Sequence, residues 1–408
     1  MAYTEVTRTG YGDRLKGALG GVVGGVVMFI AGTALLFWNE GNFVKTKQAL
    51  GESQDAVVPV EQVAAIDPAL EGKLIHASAR AESQDILEDA EFGVKQTAIR
   101  LQRNVEYYQW VEESRTETRD RMGGGQERVT TYTYKKEWCS KPVDSGGFHD
   151  PSYQNRNTVW LTFDARTSYA KNVSFGAYTL PQFFVEAIGQ AENADVNPAP
   201  EQIQTWTQNI SAHLRFSLPQ NTTNAPPPVV HASGNAVYFG RSPGVPEVGD
   251  VRVSFTWVPP HDVSIIGKVS GKTFVKFVAK NGKSVSRLDD GVRSAEEMFA
   301  SAAKENAMLT WILRLVGVLC VCFGLKAIFG ILEAIAKVIP ILGSIVGAGV
   351  GLVCMILGLA WSLLWIAIAW LAYRPLIGIP LLAASVGCIV WLKKRAKPKG
   401  PEPVEAAS

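Results

Sequence analysis

Apolar and polar positions are segregated along this chain rather than mixed. Gly17 to Trp38, "GALGGVVGGVVMFIAGTALLFW", is a run of 22 residues without a charge, enough as a helix to cross a hydrocarbon core of about 30 Å. It is longer than the apolar part of a signal peptide, about 7–15 residues, and it ends in Phe-Trp rather than a small-residue cleavage site. It therefore reads as an uncleaved anchor. Three further runs follow residue 306: Ala307 to Leu325, broken only by Arg314, then Ile341 to Tyr373, then Pro375 to Leu392. The middle one has the length of one long helix or two short ones. It contains no turn chemistry, and Trp361, Trp365 and Trp370 suit a helix leaving through an interface, so one helix is expected.

Between residues 39 and 306 the periodicity shortens to that of strands. "VEYYQWVEESRT" (Val105 to Thr116) and "RVTTYTYKKEW" (Arg128 to Trp138) predict a hairpin around the tip Gly123-Gly124-Gly125. "KLIHASARAE", "GDVRVSFTWV" and "KTFVKFVAKNGKSVSRL" read as further strands, with Asn281-Gly282 marking a two-residue type I′ turn. Helices are expected at Pro181 to Gly189 and Glu201 to Leu214. Another starts at Ser294, where Glu297 completes a capping box, and runs into the second span. Phe183 and Phe184 fit either the domain core or a dip into the bilayer.

The fold class that follows is a four-span α-helical membrane protein with a large β-rich α+β domain between spans 1 and 2. The segments are 1–16 (tail), 17–38 (span 1), 39–306 (domain), 307–329 (span 2), 330–340 (connection), 341–373 (span 3), 375–392 (span 4) and 393–408 (basic tail). Charge sets the orientation: "KKRAKPKG" after the last span, and Arg8, Arg14 and Lys16 before the first, place both ends in the cytoplasm. The domain is then periplasmic or lumenal. A net charge of +2 with no basic stripe excludes a nucleic-acid surface.

Candidate chemistry is sparse. "GKVSGKT" (Gly267 to Thr273) lacks one residue of the spacing a phosphate loop needs and reads as a turn. The five histidines show no metal-ligand spacing, and Cys139 has no partner cysteine in the domain. Neither a catalytic constellation nor a metal or cofactor site is expected. Helix packing is better marked: Gly17, Gly21 and Gly25, and Gly343, Gly347 and Gly351, recur every fourth residue, which lets backbones approach closely within or between subunits. Arg314, a charge inside a span, is expected either to snorkel to headgroups or to face a polar cavity. Glu333 and Lys337 form an i,i+4 pair. In "LLFWNEGN" (Leu35 to Asn42), Trp38 suits the interface, Asn39 and Glu40 are expected in water, and Gly41 is placed to end the helix.

The residues also carry a resemblance. "LLFWNEG" followed by "VKTKQAL", "EYYQWVEE" with "YTYKKEW", "GDVRVSF", and "SAEEMF" running into "NAMLTWILRLVG" resemble, in order and spacing, the LUMA or transmembrane protein 43 family over nearly the whole chain. The resemblance implies four spans around a non-cytoplasmic domain and no enzymatic activity or catalytic motif. Eukaryotic members reside in the endoplasmic reticulum and inner nuclear membrane, self-associate, and contact envelope proteins such as lamins and emerin. Alanine- and valine-rich spans and a short tail suit a bacterial member, in the inner membrane with a periplasmic domain. The expected function is non-enzymatic scaffolding of a membrane complex as a homo-oligomer, with membrane lipids and other membrane or far-side proteins as partners. A transport or lipid-handling protein with a polar cavity at Arg314 is the alternative.

Overall fold

The computed structural model describes residues 2–217, 229–336, 340–375 and 379. Its helices are α1 (Tyr11–Ala56), α2 (Gln182–Val185), α3 (Pro200–Ser217), α4 (Ala295–Ala336) and α5 (Pro340–Tyr373). Two compact units divide it. One holds Met1–Thr9, Ala49–Arg119 and Gln126–Ala302; the other holds Gly10–Gln48, Asp120–Gly125 and the chain from Ala303 onward.

The first unit is β-rich. Its larger sheet runs, in spatial order, through Ala2–Thr9, Gln126–Cys139, Arg100–Asp120, Val251–Val258, Ala236–Gly240 and Val229–Ser233. The expected hairpin is its spine, closed at the tip by the Arg121 N–H donating to Gly125 O at 2.9 Å. In "VRVSF" the alternation is literal: Val251, Val253 and Phe255 are fully buried while Arg252 turns outward to Glu106. Phe92, Trp206, Phe239 and Phe255 form the aromatic centre of this core, with Ile210 one turn beyond Trp206 on α3. A second sheet is built on Leu74–Glu82 and His261–Ser270, paired antiparallel from Leu74↔Lys268 to Ala81↔His261. Phe184 lies in its core against Phe274, and Phe183 packs on Phe184 at 4.6 Å. Phe184 therefore belongs to the domain core, and Phe183 is partly buried against it.

Two local expectations change. Asn281-Gly282 is not a two-residue turn: Ala279 and Lys283 close a longer loop, and Gly282 alone takes the left-handed conformation (φ 80°). The Asn281 side chain is used instead to accept from the Lys283 N–H at 3.0 Å, and that local bond competes with the tight turn. Residues 1–16, expected as a tail, contain a strand. Ala2–Thr9 pairs along 126–133, setting Tyr3 on Tyr132, Val6 on Val129 and Arg8 on Glu127. Counting charges along a chain does not register such cross-strand complementarity. The "GKVSGKT" turn and the capping box are as the sequence reads. Gly271 (φ 59°) links two strands, and Ser294 and Glu297 each accept from the other's backbone N–H.

The second unit contains the membrane-type helices. Three helices, α1, α4 and α5, are long and apolar enough to cross a membrane among the described residues. Their outer faces are apolar, with Val23 at 67% and Leu363 at 66% exposure, as hydrocarbon rather than water would favour. Residues 341–373 lie in a single helix, α5, of 34 residues. α4 continues through 330–336, which the sequence reading gave to the connection. α1 does not end at Gly41. A Cβ there would sit 2.6 Å from the Tyr373 ring, so this glycine serves close approach rather than termination. Apart from Pro375 and Ile379, the expected fourth span 375–392 and the tail 393–408 lie outside the described residues. So does Lys337, and Gly343 is described only as part of the α5 backbone.

Candidate functional site

The polar residues at the end of the first apolar run turn inward. Glu40 is 0% exposed and Asn39 1%, contrary to the expectation that both stand in water. The cause is α1's continuation past residue 41, which keeps this turn inside the helix bundle. Arg314 of α4 donates from Nε to Glu40 Oε1 at 2.5 Å and from Nη2 to Glu40 Oε2 at 2.9 Å. This is the bidentate fork that fits a carboxylate best. Trp370 of α5 adds its Nε1–H to Glu40 Oε2 at 2.9 Å. One carboxylate thus joins all three helices. Rather than reaching out alone to headgroups, Arg314 has its charge matched by Glu40, and its flat face stacks on Trp311 at 4.7 Å.

Further polar contacts surround this centre. Asn39 Nδ2 donates to Thr310 O at 3.0 Å, Thr310 Oγ1 to Asn306 O, and Asn306 Nδ2 to Phe43 O. Asn39 Oδ1 is buried with no partner among the described residues. Deeper along the helices, Trp361 Nε1 donates to Thr33 Oγ1 at 3.0 Å, and Trp365 packs edge-on to Phe37. Trp38, by contrast, faces outward at 56% exposure.

The glycine series divides into two roles. A Cβ at Gly25 would lie 2.8–2.9 Å from Gly324, Ala327 and Ile328, and one at Gly32 2.8 Å from Cys320. These positions, with Gly317 and Gly324 opposite, let α1 and α4 touch backbone to backbone. Among the described residues Gly17 and Gly21 have nothing within 4 Å of a Cβ, and the same holds for Gly351. Gly347 packs on the Glu333 side chain. Sequence periodicity groups Gly17, Gly21 and Gly25 together, but Gly25 alone of the three is filled by a neighbouring helix.

Sequence reasoning singled out Arg314, Glu40 and the tryptophans separately and missed that they meet. Glu40 and Arg314 are 274 residues apart, beyond any helical or strand periodicity. The signal that could have joined them is opposite charge: a carboxylate at the edge of one apolar run and a guanidinium inside another. Among the described residues no group of three His, Cys, Asp or Glu side chains converges as a metal site.

A family model described as transmembrane protein 43 matches residues 107–375, which include most of the domain's hairpin and the Arg314–Trp370 side of the cluster. The chain is 30% identical to transmembrane protein 43 of Mus musculus over 398 residues, covering 95% of this chain and 91% of the mouse protein. It is 29% identical to transmembrane protein 43 of Homo sapiens, covering 96% and 93%. It is 28% identical to the homolog of Drosophila melanogaster, covering 91% and 93%. No solved structure matches it. With a family model over most of its length and relatives aligned nearly end to end, the chain belongs to the transmembrane protein 43 family of integral membrane proteins, which is not a known enzyme family.

Proposed function

We propose that this chain is a non-enzymatic membrane scaffold that self-associates through the open glycine face of α1. The supporting observation is the division of labour among the glycines. Gly25 and Gly32 are filled by α4, whereas among the described residues nothing lies within 4 Å of a Cβ position at Gly17, Gly20, Gly21 and Gly24. A helix face of small residues in lipid gains little from hydrocarbon but permits close packing with another helix, here that of a second copy. The Glu40–Arg314–Trp370 contacts fix the helices that present this face. The pairing of Arg314 with Glu40 and its stacking on Trp311 favour a structural role for this residue over the transport reading.

The apolar run 375–392 supports a fourth span. The basic tail supports residues 393–400 in the cytoplasm, and the ladder of Ala2–Thr9 with 126–133 supports those two segments sharing one side of the membrane. The alanine- and valine-rich spans favour a bacterial inner membrane. Mass measured by light scattering on the full chain in detergent tests the self-association. Gly17→Leu with Gly21→Leu is expected to shift an oligomer to monomer while the melting temperature holds. An unchanged mass removes the proposal.

A further inference from the structure

Among the described residues, one cation at the boundary of the helix bundle has no counter-charge. Arg374 follows directly on the last residue of α5, Tyr373, where the apolar run of that span stops. Its guanidinium carbon lies 4.7 Å from the centre of the Phe43 ring and 5.3 Å from that of Trp370, and its backbone N–H donates to Trp370 O at 2.7 Å. The two rings and this backbone bond position the group. No carboxylate lies within ion-pair distance of it among the described residues, since Glu40, the acid bonded to Trp370, is taken by Arg314. Downstream, the sequence offers no Asp or Glu before Glu402.

We infer that Arg374, held by Phe43 and Trp370, binds the phosphate of a bilayer phospholipid. The inference does not depend on self-association, and needs α5 to cross the membrane and nothing more of the functional reading. Stacking occupies the faces of a guanidinium and leaves its N–H edge free, and that edge matches two phosphate oxygens. The surroundings are those of a headgroup layer: Trp38 and Trp311, at 56% and 67% exposure, face outward on α1 and α4, as in the aromatic belts of membrane proteins. Arg314 is a poorer candidate because its charge is already met by the buried Glu40 carboxylate, which takes two of its N–H donors. Of the two arginines near Trp370, Arg374 is therefore the one with charge to offer.

The test uses the full chain in detergent, with bound lipid counted by native mass spectrometry and the melting temperature followed in parallel. The probes are phosphatidylglycerol, phosphatidylcholine, phosphate-free diacylglycerol and inorganic phosphate. The wild type is expected to retain both phospholipids and not diacylglycerol, with a rise in melting temperature on adding phospholipid. Arg374→Gln is expected to lower retention about tenfold and abolish that rise. Arg374→Lys should keep part of both, because an ammonium is a point charge without the fork. Phe43→Leu should fall between them. Equal retention by Arg374→Gln and wild type overturns the inference, as does retention of diacylglycerol equal to that of the phospholipids. If inorganic phosphate alone raises the melting temperature in an Arg374-dependent way and phospholipid adds nothing, the ligand is a soluble phosphate and the lipid assignment is overturned. Should Arg374→Gln fail to fold, Arg374→Lys and Phe43→Leu carry the comparison.

Discussion

The β-rich unit and the helical unit bury opposite things. In the domain Val253, Phe255 and Ile265 are fully enclosed. In the helices valines and leucines point outward, while Glu40, Asn39 and Ser362 are enclosed. Each unit follows its solvent. In water, removing apolar area is the main gain. In lipid that gain vanishes between helices, and close contact of small residues together with polar pairing takes its place. Both units contain a buried carboxylate, and the two differ in how its charge is met. Glu40 is answered by a guanidinium. Asp250 is answered by neutral donors: Trp160 Nε1 at 3.1 Å, the Glu247 N–H at 2.8 Å and the Tyr238 hydroxyl. Burial pushes the Asp250 carboxyl above its usual range although these bonds oppose the shift.

The contrast is sharpest where one partner is removed. Arg314→Ala leaves Glu40 as an uncompensated buried charge, and a loss of about 3–5 kcal/mol is expected. The double variant Glu40→Leu/Arg314→Met should recover most of it. Thermal denaturation in detergent checks both, and a double variant no better than the single would show that the pair is not a matched charge. In the domain, Asp250→Ala strands three donors and should cost about 3 kcal/mol, read by denaturant titration followed through tryptophan fluorescence. Gly25→Leu forces a side chain into the α4 backbone and is expected to cost about 1–3 kcal/mol. Gly21→Leu, entering open space, should stay within about 0.5 kcal/mol. Equal effects at the two glycines would erase the distinction between filled and open positions.

Smaller effects belong to the domain surface. Burial raises the Glu112 carboxyl, but hydrogen bonds from Tyr134 and from the His149 backbone and ring outweigh it, and the net shift is downward. Asp85 is held low chiefly by the Asn172 N–H. A lowered folded value means stabilisation that is complete above the unfolded carboxylate value, about 4, and lost as pH falls through the folded one. The melting temperature of the domain should therefore drop below about pH 4, and Glu112→Gln should flatten that drop. The last test concerns the N-terminal strand. The ladder with 126–133 predicts that Thr4→Cys and Cys139 react together with a membrane-impermeant thiol reagent in sealed membrane vesicles. Protection of position 4 alone would favour the orientation read from charge.

Much of this was legible in the residues. The apolar runs, the hairpin around the triple glycine, the Ser294 capping box and the turn at Gly271 each depend on neighbours within a few positions, where periodicity and capping rules act. The failures also have local causes. Gly41 looks like a helix stop because glycine commonly ends helices; the sequence does not show the Tyr373 ring that needs its missing side chain. Ala2–Thr9 looks like a tail because its pairing strand lies more than a hundred residues away.

The sequence by itself determined that the chain has two solvents, where the membrane helices lie, and which family it belongs to, because these follow from composition and order. Tertiary structure decided the roles of the polar residues. Whether Glu40 stands in water or meets Arg314 and Trp370, whether a glycine is filled or open, and whether an arginine has a counter-charge depend on contacts between segments hundreds of residues apart. Such contacts are fixed by packing geometry, which local pattern does not encode.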